Sequence, residues 1–321
     1  MKHEGITLSR IRGALCTAVM LTALADGGSA ALAQGGDWYP SPWGPEDERG
    51  AANRLTPAKV LEAKNLIERG QVYQLGRVYQ PDMPFFGERS YEMRILEVGP
   101  LAKNQLRAHE GYFSGELDQV GTQFDALGHI GIGDRFFNGY HHSDLGDEHG
   151  LAHLGVEHVG PIVSRGVLID VAGYKGLDRL EAGYEITVAD LKGALERQGT
   201  EINEGDAVLI HTGWGSHWAM DNAKYYGAGP GIGLEAAQFL VDEKIVVVGS
   251  DNAGVEVVPN PDPSLVFPVH QLFLAQNGIY LLESIITEEL AQDGAYEFAF
   301  IFAPLRLKGA SGSPGNPIAI H

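Results

Sequence analysis

Amides, a carboxylate and an imidazole crowd into one short stretch, Gln119-Val120-Gly121-Thr122-Gln123-Phe124-Asp125-Ala126-Leu127-Gly128-His129. On an extended strand alternate positions face one side. Gln119, Gln123 and Asp125 then converge, and Gly121 leaves space between them. Carbonyl and carboxylate oxygens of this kind are what a hard divalent cation binds. The same stretch also reads as a polar strand face turned to water, and its residues alone leave both readings open. Far along the chain His270 precedes a predicted short helix, and Glu283 ends the strand that follows. An imidazole and a carboxylate on adjoining elements can share one pocket, or each can serve structure separately.

Other candidate groups are weaker. His149, His153 and His158 form a histidine-dense run. His149 and His153 have i, i+4 spacing, but Gly150 stands where a zinc-protease helix needs its glutamate. They read as surface or core histidines. There is no G-x-S-x-G, so a serine nucleophile elbow is not expected. Neither a phosphate-binding loop nor a placed G-x-G-x-x-G occurs. Gly227-Ala228-Gly229-Pro230-Gly231-Ile232-Gly233 precedes a helix and reads as a turn, with anion binding at that helix start as the alternative.

Composition bounds the partners. The chain has 321 residues, 44% of them hydrophobic and 20% charged, as in globular proteins. Its 42 acids against 23 bases give a net charge of −19, which argues against nucleic acid and against an anionic membrane surface. A small-molecule substrate is the expected partner. The single cysteine excludes a disulfide framework and a thiolate zinc cluster.

The elements that must position these groups follow an α/β pattern. Residues 1–33 read as a cleaved signal peptide: basic Lys2, Arg10 and Arg12, an apolar run from Ala14 to Ala25, then Ala31-Leu32-Ala33 before the cut. That run is too short to span a bilayer. Cleavage removes Cys16, which suits a periplasmic or secreted protein that leaves the membrane. Residues 34–70 form an arm rich in Trp, Pro and Gly, then a helix opened by Thr56-Pro57 with Val60, Leu61, Lys64 and Ile67 on or near one face. Residues 71–321 alternate strands and helices in one domain. Val167–Val171, Ala207–His211, Ile245–Gly249, Ile279–Glu283 and Glu297–Ala303 read as strands, and Thr187–Gln198 and Gly233–Glu243 as helices.

Together the two clusters make the chain resemble the cyclase family of metal-dependent hydrolases, which includes bacterial kynurenine formamidase and isatin hydrolase. The family frame is H-x-G-T-H-x-D-x-x-x-H, here with Gln119 and Gln123 in place of both early histidines and with Asp125 and His129 kept. The resemblance continues through Arg165–Asp170, Val208–Trp214, Pro230-Gly231-Ile232 and Val248–Asn252 to His270 and Glu283. It implies a single swivelling β/β/α-type α/β domain that forms homo-oligomers. It implies a divalent metal, Mn²⁺ or Zn²⁺, at Gln119, Gln123, Asp125, His270 and Glu283, and His129 as general acid/base. Glutamine is a weaker ligand than imidazole for zinc, so His109, Glu110 and Asp118 are further ligand candidates. The implied reaction is hydrolysis of a lactone, N-formyl amide or imide-like carbonyl compound by metal-activated water. The alternatives are a non-hydrolytic periplasmic binding protein on the same fold, and a lyase or isomerase using Asp125 and His129. Trp214, Trp218, Phe136, Phe137 and Tyr140 offer an apolar wall for the substrate, or are core residues.

Overall fold

The most apolar runs of the chain become the centre of one sheet. The structure, a computed structural model, describes residues 38–321, so the expected signal peptide lies outside the described residues. The strands used below are β1 (Val72–Gln74), β2 (Tyr91–Leu101), β3 (Leu106–Gly115), β4 (Gln123–Asp125), β5 (Ile162–Asp170), β6 (Ala207–His211), β7 (Val247–Ser250), β8 (Tyr280–Glu283), β9 (Glu297–Phe302), β10 (Gly312–Pro314) and β11 (Ile318–Ile320). All but β2 and β3 form a nine-stranded sheet in the order β1-β11-β9-β5-β6-β7-β8-β4-β10. Its middle strands β5, β6, β7 and β8 run parallel, and the flanking pairs are antiparallel. Parallel strands are covered on both faces, so they need side chains that are apolar throughout. That is why Val167, Leu168, Ile169, Val208, Leu209, Ile210, Val247, Val248, Leu281 and Leu282 are all buried. The expected α/β class and these strands are present.

Local signals set the helices. Val188–Gln198 begins with a capping box, in which the Thr187 side chain accepts from Asp190 N and the Asp190 carboxylate accepts from Thr187 N. Gly199, in the left-handed region at φ 69°, ends it. Thr56 caps α1 (Pro57–Lys64) as expected, but the buried face is not the predicted one. Val60, Leu61 and Ile67 are exposed, whereas Lys59 and Ala63 are buried. The reason is electrostatic: Lys59 Nζ lies 2.7 Å from Oδ1 of fully buried Asp206, and that ion pair turns the helix.

The segment before α1 is packed onto its own body. Ala51 and Ala52 are fully buried, Ala51 N donates to Gly278 O, and the Asn138 carboxamide donates to the carbonyls of Gly44, Pro45 and Asp47.

Strands β2 and β3 form a separate two-stranded antiparallel ribbon. Almost all of it is exposed, including Met93, Ile95, Leu96, Leu101, Leu106, Tyr112 and Phe113. Among the described residues, no helix is long and apolar enough to cross a membrane.

Candidate metal-binding and catalytic site

The two distant clusters meet because β4 pairs with β8. Their register sets Gln123 opposite Glu283 and Asp125 opposite Leu281. The approach to β4 is not the extended strand that alternation suggested. Gln119 (φ 62°) and Gly121 (φ 63°) are both left-handed, so the chain turns sharply before Gln123. A Cβ at residue 121 would sit 2.3 Å from the Tyr79 ring, so only glycine fits. Thr122 fastens the turn: its Oγ1 donates to Ser284 O (2.8 Å) and accepts from Arg77 N (2.8 Å).

The glutamines depart from the ligand positions the resemblance implies. Gln123 Oε1 accepts from Gln119 N–H, and Gln123 Nε2 donates to Glu283 Oε2 at 2.5 Å. A backbone N–H can only donate, so it fixes which end of the carboxamide faces Glu283. Gln123 thus holds the Glu283 carboxylate through its nitrogen, while its oxygen accepts from the Gln119 backbone. The Gln119 side chain lines a neighbouring cleft; what Gln119 adds to the cluster is its backbone donor.

Asp125, His270 and Glu283 are all buried, with ligand atoms within 4.8 Å of one another. His270 Nε2 lies 3.1 Å from Glu283 Oε1 and 3.8 Å from Asp125 Oδ2. On the other side of the ring, Nδ1 lies 2.6 Å from Glu256 Oε1. Both oxygens of Asp125 are buried without a hydrogen-bond partner. Burial pushes this carboxyl up to about 7; Glu283 and Asp118 add to the rise, and His129 and His270 oppose it. Burial opposes charge on His270 too, but its bonds to Glu256 and Glu283 outweigh that and raise its pKa well above the ordinary value. A buried carboxylate with no donor calls for a cation. Asp125, His270 and Glu283 fit one in number, type and spacing.

A second group adjoins the first. His129 Nε2 is 3.9 Å from Asp125 Oδ2, and its Nδ1 is 3.8 Å from Asp118 Oδ2. Asp118 also accepts from Ser311 Oγ at 2.5 Å. His129 is partly exposed, so one face of the cluster is reachable from outside.

Above the cluster lies a narrow cleft of ≈ 30 Å³, with Gln119, Asn252 and Glu256 as polar lining and Phe86, Tyr226 and Phe267 as aromatic walls. The Phe86 and Tyr226 rings are 5.9 Å apart. Burial raises the Tyr226 hydroxyl, so it stays protonated as a donor. A larger cavity of ≈ 360 Å³ at the root of the β2–β3 ribbon is mainly apolar and lacks the carboxylate–imidazole cluster.

Several expected residues stand elsewhere. None of Trp214, Trp218, Phe136, Phe137 and Tyr140 lines the cleft. Trp214 is buried and donates to Tyr225 O, Trp218 lies under Arg77, and Tyr140 stacks on His153. His109 and Glu110 sit on the exposed β3 ribbon, outside both clusters. His153 and His158 face Glu48. The glycines before residue 234 serve packing: a Cβ at residue 231 would lie 2.2 Å from Glu256 C. Glu256 was not singled out in the sequence. Its signal was a lone acid in Val255-Glu256-Val257-Val258, since a charge inside an apolar run needs a buried partner.

Comparisons with known proteins agree with this architecture. The Cyclase family model matches residues 73–257. Isatin hydrolase from Roseibium aggregatum is 31% identical over 140 residues; the match takes in 42% of this chain and only 52% of that enzyme's length. A crystal structure of a protein described as a novel cyclase superposes with a TM-score of 0.80 at 33% identity, covering 87% of this chain and 96% of that one. Isatin hydrolase A from Ralstonia solanacearum shares the fold, with a TM-score of 0.61, 24% identity and coverage of 83% and 97%.

Proposed function

The chain belongs to the Cyclase family, and from that premise we propose that it is a metal-dependent hydrolase of a cyclic or amide carbonyl compound. The observation that supports this most is Asp125: a wholly buried carboxylate, without a hydrogen-bond donor, facing two imidazoles. Asp125, His270 and Glu283 would hold the ion, and two carboxylates with one imidazole suit Mn²⁺ as well as Zn²⁺. Bound there, a divalent ion supplies Lewis acidity toward a carbonyl and makes water a stronger nucleophile.

The remaining work falls to this chain's own groups. His129, beside Asp125 and partly exposed, takes a proton from the attacking water and returns one to the leaving nitrogen or oxygen. Asp118 steadies the resulting imidazolium. The Phe86, Tyr226 and Phe267 walls keep bulk water from the cluster, and they must part to seat a flat, ring-bearing substrate between them. His129→Gln is expected to lower kcat by about 10²–10⁴-fold, the range of general acid–base catalysis, with bound Mn²⁺ unchanged. Turnover on a lactone and an N-formyl amide, measured beside elemental analysis, checks this. Intact turnover in the variant would end the reading. Solvent oxygen from labelled water should appear in the product, which a lyase or isomerase would not incorporate.

We also propose that two copies associate through the β2–β3 ribbon. A lone two-stranded ribbon is marginal in water, and this one exposes apolar side chains along its length. Its acids Glu92, Glu97 and Glu110 balance Arg94, Lys103 and Arg107. In a chain of net charge −19 it is thus a neutral surface on which two like-charged copies can meet. Light scattering should give a multiple of one chain's mass, and Ile95→Glu with Leu96→Glu should give single chains that stay folded. A monomeric wild type rejects the proposal. Export with cleavage after Ala33 is proposed on the basic, apolar, small order of residues 1–33. Amino-terminal sequencing of protein from the periplasm or medium should begin at Gln34.

A further inference from the structure

We infer that Glu256 is the positioning residue of the site: it fixes the tautomer and the orientation of His270 so that Nε2, and not Nδ1, faces Asp125 and Glu283. The inference rests on the metal-binding reading above. Glu256 lies outside the H-x-G-T-H-x-D-type motif, on the loop that follows β7.

Its carboxylate is buried, at 1% exposure, and each contact is directional. Oε1 accepts from His270 N–H (3.0 Å) and meets His270 Nδ1 at 2.6 Å, while Oε2 accepts from Val269 N–H (3.4 Å). A carboxylate can only accept, so the proton of the 2.6 Å contact belongs to Nδ1. Nε2 is then the nitrogen aimed at the interior of the cluster, 3.1 Å from Glu283 and 3.8 Å from Asp125, where an ion would take the place of its proton. The two backbone bonds also hold the start of the Pro268–His270 turn, so ring and backbone are fixed by one group. Room for Glu256 comes from Gly231, where a Cβ would lie 2.2 Å from Glu256 C, and from the parallel bridge of Ile232 to Glu256. Outer carboxylates of this kind make an imidazole a better and better-aimed ligand. Glu256 and Gln123 are thus matched: one aims His270, the other holds Glu283.

The test uses the full chain, stripped with chelator, as wild type, Glu256→Gln and Glu256→Ala. Titration with Mn²⁺ alone should show the alanine variant binding about 10–100-fold more weakly than wild type. The glutamine variant should fall between, because its carboxamide oxygen still accepts from Nδ1. Nitrogen-resolved NMR of the Zn²⁺-loaded wild type should show His270 protonated on Nδ1 and bound through Nε2. Affinities within twofold for both variants, or binding through Nδ1, would overturn the inference. Should Glu256→Ala not fold, the glutamine variant alone decides on the same twofold limit. A wild type that binds neither ion removes the hydrolase reading, and the inference is then read in metal-free protein. There a low-field Nδ1 proton of His270, present in wild type and lost or shifted upfield in Glu256→Gln, supports it; an unchanged resonance rejects it.

Discussion

Asp125→Asn is expected to abolish hydrolysis, lowering kcat/KM by about 10³-fold or more, since a bound divalent ion contributes several kcal/mol of transition-state stabilisation. Metal content should fall with it, because a neutral carboxamide replaces one of two carboxylates among the three candidate ligands. Stability should move the other way. In chelator-stripped protein, wild type carries a buried carboxylate without a hydrogen-bond donor, whereas asparagine carries no charge. The sign follows from the raised pKa. The carboxyl stands at about 7 in the fold against an ordinary 3.8, so the folded state holds its proton the more tightly. That contribution is fully present below the ordinary value and is lost as pH rises through about 7. The variant lacks this loss, so its advantage in Tm over metal-free wild type should widen across that window. Paired melting curves at acid and neutral pH, with and without Mn²⁺, measure both effects. A variant that keeps its metal and its turnover would remove Asp125 from the mechanism.

Asp206→Ala is expected to destabilise the fold by about 3 kcal/mol, the lower end of the cost of breaking a buried ion pair, because each cation keeps one half-exposed carboxylate. Asp206 has no exposed surface, and it accepts from Lys59 Nζ (2.7 Å), Arg165 Nη1 and Asn203 N (2.8 Å). Its loss takes the buried partner from two cations that are themselves nearly buried, at 9% for Lys59 and 4% for Arg165. Each cation keeps one half-exposed partner, Glu297 Oε1 at 2.6 Å from Arg165 Nη2 and Glu62 Oε2 at 2.9 Å from Lys59 Nζ, so the penalty is shared between them. That lysine is what seats α1, so the first turn of α1 should lose amide-exchange protection in the variant. Denaturant unfolding gives the magnitude; a change below about 1 kcal/mol would mean that water replaces the lost carboxylate without penalty.

How the site was legible shows in particular residues. The crowding of Gln119, Gln123, Asp125 and His129 was visible because chemically capable residues lay close together in the chain. Their geometry was misread, since alternation assumes a strand, and two left-handed residues break it. The glutamines were read as ligands because sequence gives a carboxamide two ends and no way to choose between them. The choice is made by the Gln119 backbone donor on one side and Glu283 on the other. Glu256 went unnoticed because its partner, His270, is reached across a loop and not along a periodic element. The exposed ribbon went unnoticed because its apolar residues resemble those of any buried strand.

What the sequence determined by itself was local and compositional. Unbroken apolar runs became the parallel strands, Thr56 and Thr187 capped the helices they precede, and acidic excess set the charge. These depend on neighbours within a few positions, where backbone sterics and capping act. Tertiary structure alone decided which groups meet: Gln123 with Glu283, Glu256 with His270, Lys59 with Asp206. Those contacts join residues far apart in the chain, and they form only when burial of the sheet sets the register between strands. The same burial strips water from the carboxylates, which makes their partners obligatory and so turns a list of residue types into a site.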